Sequence, residues 1–521
     1  MKKILSLLTA AVMILSLLSV IPFGASAAWD GTSSAEFAGE GTAASPYLIA
    51  SAENLRSLQE QVAAGNDFEG EYFTQTADIN LGGKEWTPIG TSAAPFCGVY
   101  DGLGHKITGL SITQESNAMG LFGYIESTWS TESGIMNLDV TGEFVFEQLT
   151  GNPGLGGVVG WVYKDTDAGY KRCQIINVTG NVNITVKSAT NQPRMGAVLG
   201  YCFEGDVTNV VNNGAIVYEG SANSRVGGIV GQSNRSTYTG CVNNGSVSVH
   251  MTGTSSAHVG GICAMTTYKT VNVYTVYDGC INNGTLDVVT DDGKIYLAGI
   301  AGATYSSGSA LYLQVKNCLN NGSIKGEVKS ETGKDAYVGG LVGLVQNTDA
   351  SVEDSINNTV DITCVSATGD RSGGIVSLFN KADDTVFIKN CLTLSEKISS
   401  EKVANEEGCE VSALAAQLGP KVDALKAAIA KVEGATINGF PGAPEETTEE
   451  ITTAAEPEPT TAEETTAAAE PEATTADKVE DTTPVTTAAT EPKKGCGSMT
   501  VSLFAVAAVV GTAAVIVKKH D

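Results

Sequence analysis

Histidine, basic charge and catalytic signatures are all scarce in this chain. Its 521 residues include four histidines, His105, His250, His258 and His520. None falls in His-Glu-x-x-His, which would set two zinc ligands one helical turn apart beside a glutamate base. His250 and His258 stand eight residues apart with no Glu between them. No Walker loop, nucleophile elbow or Cys-x-x-Cys occurs, and no LPxTG-like motif precedes the C-terminal apolar run. These gaps remove zinc peptidase, nucleotide and sortase-linked readings, and they leave no residue to assign to a metal or cofactor. Lysine and arginine number 31 against 58 acidic residues, a net charge of −27. Such a balance argues against nucleic acid, and against capture of anionic polymers by bulk electrostatics. Charged residues make up only 17% of the chain while glycine reaches 60, which suits a β-solenoid better than a helical enzyme.

What the sequence does contain is repetition. A glycine-rich block reads GGVVG at 156–160, GAVLG at 196–200, GGIVG at 227–231, GGICA at 260–264, AGIAG at 298–302, GGLVG at 339–343 and GGIVS at 373–377. A second block, about ten residues later, reads VNNG at 211–214, CVNNG at 241–245, CINNG at 280–284 and CLNNG at 318–322, with weaker forms near 355–358 and 391–392. Intervals of 31 to 41 residues between first blocks signal a solenoid with variable insertions. Ile229 and Val230 favour strands, and Gly227, Gly228 and Gly231, like Gly340 and Gly343, allow close backbone approach. Stacked coils would place Asn243, Asn282, Asn320 and Asn357 in a column of donating amides. The glycine after Asn-Asn is expected to supply a positive φ at the corner. Cys241, Cys280 and Cys318 would stack inward as small apolar residues, where in-register neighbours make awkward disulfide geometry, and disulfide pairing among the eleven cysteines of an exported chain is the alternative. The predicted fold is therefore all-β, a single-stranded parallel β-helix. At about 4.8 Å per coil, eight coils give a rod roughly 40 Å long.

At this point the chain resembles the GLUG-motif β-helix proteins of bacterial surfaces. GLFG at 120–123 and GLVG at 340–343 match the motif, and GGVVG, GGIVG and AGIAG are variants. The stretches 41–62, 68–90 and 96–112 resemble the usual entry segment of such domains, and ATINGFP at 435–441 resembles their closing segment. The likeness extends to the repeat region of IgA-specific metallopeptidases, whose catalytic motif is missing here. It implies a fold and a surface location more than an activity.

The flanks complete the organisation. Residues 1–27 carry Lys2, Lys3, an apolar run and Ala25-Ser26-Ala27, the pattern of a secretory signal. Residues 28–106 are read as an N-terminal cap and first coils, with an amphipathic helix over 51–64 capped by Ser51. Residues 107–394 hold the repeats. Residues 395–442 are a C-terminal cap with two short helices broken at Gly419-Pro420. Residues 443–494 read as a disordered, Thr- and Pro-rich stalk, where 445–492 hold 14 acidic residues against one lysine. Residues 499–517 carry no charge over 19 positions and are long enough to span a bilayer. The tail 518–521 would stay cytoplasmic. Cys496, in KKGCGS, is juxtamembrane.

The expected function is adhesion or ligand binding at the cell surface, towards a glycan or protein, without catalysis and without nucleic acid. Trp129, Trp161, Tyr268 and Tyr274, together with Tyr201 and Tyr277, are candidates to stack on sugar rings if exposed; packing under long loops is the plainer alternative. A carbohydrate-active enzyme on the same solenoid is the first rival. It would need a converging carboxylate pair, and Glu353–Asp354, Asp291–Asp292 and Asp165–Asp167 are candidates, although Asp is common in turns for backbone capping. A purely structural envelope component is the second rival.

Overall fold

A computed structural model describes residues 29–429, apart from 35–36, 129, 165–170, 269–273, 307–311, 333, 347–348, 370, 381–385, 396–397, 400–405 and 412–414. The described chain winds as a parallel β-solenoid, the architecture that its repeat period predicts. One coil serves as reference. Ser224–Gly227 forms a first strand, Val230–Asn234 a second and Thr237–Thr239 a third, followed by the short Val242–Asn243 and by Val247–Met251. The next coil repeats this order, and every register is parallel: Val226 lies beside Val259, Val230 beside Cys263, and Asn243 beside Asn282. First and second strands build two eight-stranded sheets. Val226, Ile229 and Val249 point inward and are fully or almost fully buried, as are their counterparts Val259, Ile262 and Val288. Within the core, Tyr238 and Tyr277 stack with ring centroids 5.1 Å apart and planes 10° from parallel. Tyr277 is thus an interior residue and not a surface aromatic.

The glycines of the first block have three separate steric reasons. A Cβ on Gly227 would meet the carbonyl of Val230 across the bend, and one on Gly231 would meet the backbone of Met195 in the preceding coil. A Cβ on Gly228 would run into Gly261 O and the amide of Asn243, on the far wall of the coil. Gly340 likewise packs on Gly374 O and Asn357, and Gly343 on Gly302 O.

The second block behaves differently from its sequence reading. Gly245, Gly284 and Gly322 do not adopt positive φ. They are required because a Cβ there would strike the carbonyl of the equivalent glycine in the previous coil. The left-handed corner sits earlier, in the residue before the cysteine column. Asn209, Gly240, Gly279, Asn317, Asp354 and Asn390 occupy it with φ between 48° and 65°. Short polar side chains and glycine tolerate that region best.

At the N-terminal end, α1 (Ala52–Ala63) is capped by Ser51, whose hydroxyl accepts from Asn54 N at 3.4 Å. Asn54 Oδ1 accepts from Ala50 N at 3.1 Å, tying the helix start to the residue before the cap. Leu55, Leu58 and Val62 bury the apolar face in one core with Trp29, Phe68 and Phe73.

The C-terminal helices are a correction. α2 (Ala415–Ile429) is one continuous helix through Gly419 and Pro420. Proline removes a single backbone bond, and its fixed φ is helical. Val422 and Ile429 pack against Ile281, Leu319, Ile356 and Leu392. Those four residues occupy the same position on successive coils, so α2 lies along the flank of the solenoid and does not close its end. The stalk, the apolar run 499–517 and Cys496 lie outside the described residues, as does the leader. Among the described residues, no helix is long and apolar enough to cross a membrane.

Candidate ligand-binding crease

The bend between the first and second strands brings outward-facing side chains into contact. The Arg194 guanidinium, on a first strand, lies 5.3 Å from the Trp161 ring centre and 5.5 Å from that of Tyr201, both on second strands. Arg225 Nε meets Met265 Sδ at 3.1 Å, and His258 pairs with the Tyr305 hydroxyl at 3.1 Å. Side chains on the outside of two adjoining sheets can touch only where the bend is re-entrant. The solenoid therefore carries a crease running across its coils.

Two columns line it. On the first-strand side, Arg194, Arg225, His258, Tyr296, Tyr337 and Arg371 stand in register on six successive coils. On the second-strand side, Tyr124, Trp161 and Tyr201 begin a column that continues through Gln232 and Met265. Planar groups stack along it: Tyr124 on Trp161 at 6.1 Å, His258 on Tyr296 at 5.1 Å, and Tyr296 on Tyr337 at 5.4 Å with planes 2° apart. At the N-terminal end lies a cavity of about 630 Å³, lined by Thr91, Ser92, Ser116, Asn117, Ala118, Tyr124, Asn152 and Trp161. Its size falls within the range of small-ligand sites, roughly 300–1,000 Å³. A second cavity of about 640 Å³ sits under α1 among Phe37, Tyr47, Phe68, Glu60 and Glu71, where burial raises the Glu71 carboxyl.

Electrostatics vary along the crease. Arg194 donates from Nε to Gln232 Oε1 at 2.8 Å and from Nη1 to Asn152 O at 3.0 Å. Arg225 donates to Met265 and, from Nη2, to Gln192 Oε1 at 3.0 Å. Among the described residues, neither guanidinium has a carboxylate within ion-pair distance. Burial, with the neighbouring Arg194 charge adding to it, lowers Arg225 to about 10. His258 is held neutral, its pKa lowered to about 4, chiefly by burial. The short contact to Ser224 O at 3.1 Å requires Nδ1 to carry the proton. Nε2 then accepts from Tyr305. Further along, Arg371 lies over Tyr337 and pairs with Asp335 at 3.3 Å.

Of the four aromatics singled out in the sequence, Trp161 lies in the crease, with its indole N–H donating to Asn117 O at 3.1 Å. Trp129 lies outside the described residues. Tyr268 and Tyr274 end and begin strands around the segment 269–273. Asn243, Asn282 and Asn320 stand in one buried column with Asn212 and Asn357, each donating to the next at 2.8–2.9 Å. Thr393 closes the column, accepting from Asn357 at 3.0 Å. Cys241, Cys280 and Cys318 line a neighbouring column of free thiols, each aimed at a carbonyl of the preceding coil, with Ser355 interrupting before Cys391. The carboxylates also bond between coils. Asp291 meets His250 at 3.2 Å and Lys329 at 3.3 Å, and Asp354 accepts from Asn390 at 3.0 Å. Asp165 and Asp167 fall outside the described residues.

The crease column itself escaped the sequence reading, yet a signal exists. Two residues before each glycine block, six consecutive repeats carry Arg, Arg, His, Tyr, Tyr and Arg. All are planar, and none is small or aliphatic.

No known protein-family profile matches the chain. It is 36% identical over 124 residues to a "Putative Gly-rich membrane protein" of Evansella cellulosilytica, a stretch that covers 23% of this chain and 14% of that one. It is 31% identical over 183 residues to a halomucin of Haloquadratum walsbyi, covering 33% of this chain and 2% of that protein. The chain thus spans a small part of the length of both relatives. A solved structure, a putative immunoglobulin A1 protease from Bacteroides ovatus, aligns with 74% of this chain and 89% of its own at 18% identity, with a TM-score of 0.35.

Proposed function

We propose that this protein is a membrane-anchored surface module that binds an extended ligand, a glycan chain, in the crease without cleaving it. The observation that carries this reading is the outward column of planar side chains across six coils, partly exposed at Arg194, Arg225, Tyr296 and Arg371 and closed over at His258 and Tyr337. Aromatic faces suit the apolar faces of sugar rings, and a groove crossing the coils suits a polymer better than a compact metabolite. Anchorage is supported by the uncharged run 499–517 followed by Lys518 and Lys519, and by a relative whose name describes a membrane protein. The binding role, as against catalysis, is supported by the inter-coil bonds that Asp291 and Asp354 already make.

The test uses the full chain in mild detergent on a panel of plant, host and bacterial polysaccharides, with binding and release of reducing ends or unsaturated products read together. Binding without product, weakened at least about tenfold by Trp161→Ala, is the expected result; tenfold corresponds to one good aromatic contact of about 1.4 kcal/mol. Product release would overturn the non-catalytic reading. Binding that Trp161→Ala leaves intact would move the site elsewhere.

A further inference from the structure

Arg194 and Arg225 pose a physical problem that the fold does not solve internally. They sit on adjacent coils, so their backbones are about 4.8 Å apart, and both side chains are half-buried. Like charges in a partly desolvated site repel, and uncompensated burial is costly. Elsewhere on the solenoid the guanidinium groups have acids beside them: Arg172 has Asp206 at 2.8 Å, Arg235 has Glu204, and Arg371 has Asp335. The chain has nearly twice as many acidic as basic residues, yet among the described residues no acid faces this pair. Each guanidinium uses two of its five N–H donors on neutral partners, which fixes its plane and leaves donors free. Fixed, adjacent forks with open donors match carboxylate or sulfate geometry. Beside them, Asn152 bonds Arg194 through its carbonyl and also lines the cavity below Trp161.

We propose that Arg194 and Arg225 are the anion-recognition point of the crease, and that the bound polymer is a linear polysaccharide bearing carboxylate or sulfate groups. One anionic substituent bridges the two guanidinium groups while a neighbouring sugar lies against Trp161. The overall charge of −27 is compatible with this arrangement, because the pair acts at contact distance whereas exposed charges are screened beyond about 8 Å at physiological salt. The proposal rests on the crease being the binding site.

The experiment measures binding of the full chain in mild detergent to polygalacturonate and to heparin, each beside its carboxyl-reduced or desulfated counterpart, and to a neutral xylan. The expected result is binding of at least one acidic polymer, with its neutralised counterpart at least about tenfold weaker, the loss of one charge-assisted pair. The double variant Arg194→Gln/Arg225→Gln should lose at least as much, and Lys187→Gln, which removes one exposed charge, should lose nothing. The two acidic arms identify the anion as carboxylate or sulfate. If the double variant melts early, the comparison of acidic with neutralised polymer on the natural chain decides alone. Equal binding of acidic and neutralised polymer, or acidic binding indifferent to the arginines, overturns the anion point. Loss of such binding in Trp161→Ala would still leave the crease as the site. Absence of binding to every polymer overturns both readings.

Discussion

Asn243 donates from Nδ2 to Asn282 Oδ1, 2.8 Å away on the next coil, and its second amide hydrogen goes to Gly245 O at 3.0 Å. Its own Oδ1 accepts from Asn212 and from Gly245 N. All four bonding positions of a buried amide are filled, so the column is a satisfied network of the kind that specifies register. A second column beside it, through Asn244, Asn283 and Asn321, runs at the surface and donates in the opposite direction along the axis. Asn282→Ala strands a donor on Asn243 and an acceptor on Asn320. The expected loss is about 3 kcal/mol in denaturant unfolding. Asn283→Ala, whose neighbours can turn to water, is expected to lose about 1 kcal/mol or less. Equal losses would show that the buried column is not the stronger determinant.

Glycine positions divide by what a methyl group would meet. Gly228→Ala pushes a Cβ into Gly261 O and the Asn243 amide, closer than 3 Å to backbone that the next coil holds in place. Overpacking of this kind costs about 1–3 kcal/mol or more, so the expected outcome is a large drop in melting temperature. Gly419, inside α2, has nothing within 4 Å beyond its own helix. Gly419→Ala is expected to change stability by less than about 1 kcal/mol, because the gain in helix propensity opposes the crowding of its new Cβ against Pro420 Cδ. The thermal melt of Gly228→Ala should fall well below that of Gly419→Ala.

Much of this fold was legible because solenoid geometry writes itself into spacing. Register follows the repeat interval, and α1 followed from Ser51, Asn54 and the Leu55–Leu58–Val62 stripe. The misplaced features share a cause. Gly245 follows Asn-Asn and looks like a turn residue, but only the stacked backbone shows that crowding, not φ, excludes a side chain. The flanking position of α2 depends on Ile281, Leu319, Ile356 and Leu392, which read singly as core residues. Arg194 and Arg225 are 31 residues apart in sequence and become neighbours only when the coils stack.

The buried imidazole of His258 makes stability depend on pH. Its folded pKa, about 4, lies below the ordinary value of 6.5. Between those values the unfolded chain binds a proton that the folded chain refuses, so stability is full above about 6.5 and falls as pH drops towards 4. The loss attributable to this residue is at most about 3 kcal/mol. His258→Gln is expected to flatten the unfolding free energy over pH 4–6.5 relative to the natural chain. An unchanged slope would mean that carboxylates alone set the acid limb.

The thiol column makes a kinetic forecast. Burial holds the Cys241 and Cys280 thiols well above their ordinary range, and Cys173 up to about 12. The nucleophile in alkylation is the thiolate, so these positions should stay unlabelled by maleimide in the native chain and react once denaturant unfolds it. Mass spectrometry of labelled peptides reads this site by site. Rapid native labelling at Cys280 would show that the coils open locally.

α2 covers an apolar column that would otherwise face solvent. Val422 and Ile429 are buried against Leu319 and its neighbours, and Lys421 reaches Glu410 at 3.0 Å. An isolated 15-residue helix is marginal in water, so its order depends on this docking. Val422→Asp places a charge in the interface, which α2 can relieve only by leaving. Amides of 415–429 are then expected to lose hydrogen-exchange protection, while those of Asn282 and Asn320 keep theirs because the ladder bonds do not involve the helix. The lost burial is about 2–3 kcal/mol, and the newly exposed column should bind a hydrophobic dye. Protection lost together in helix and coils would instead make α2 an integral part of the solenoid's folding unit.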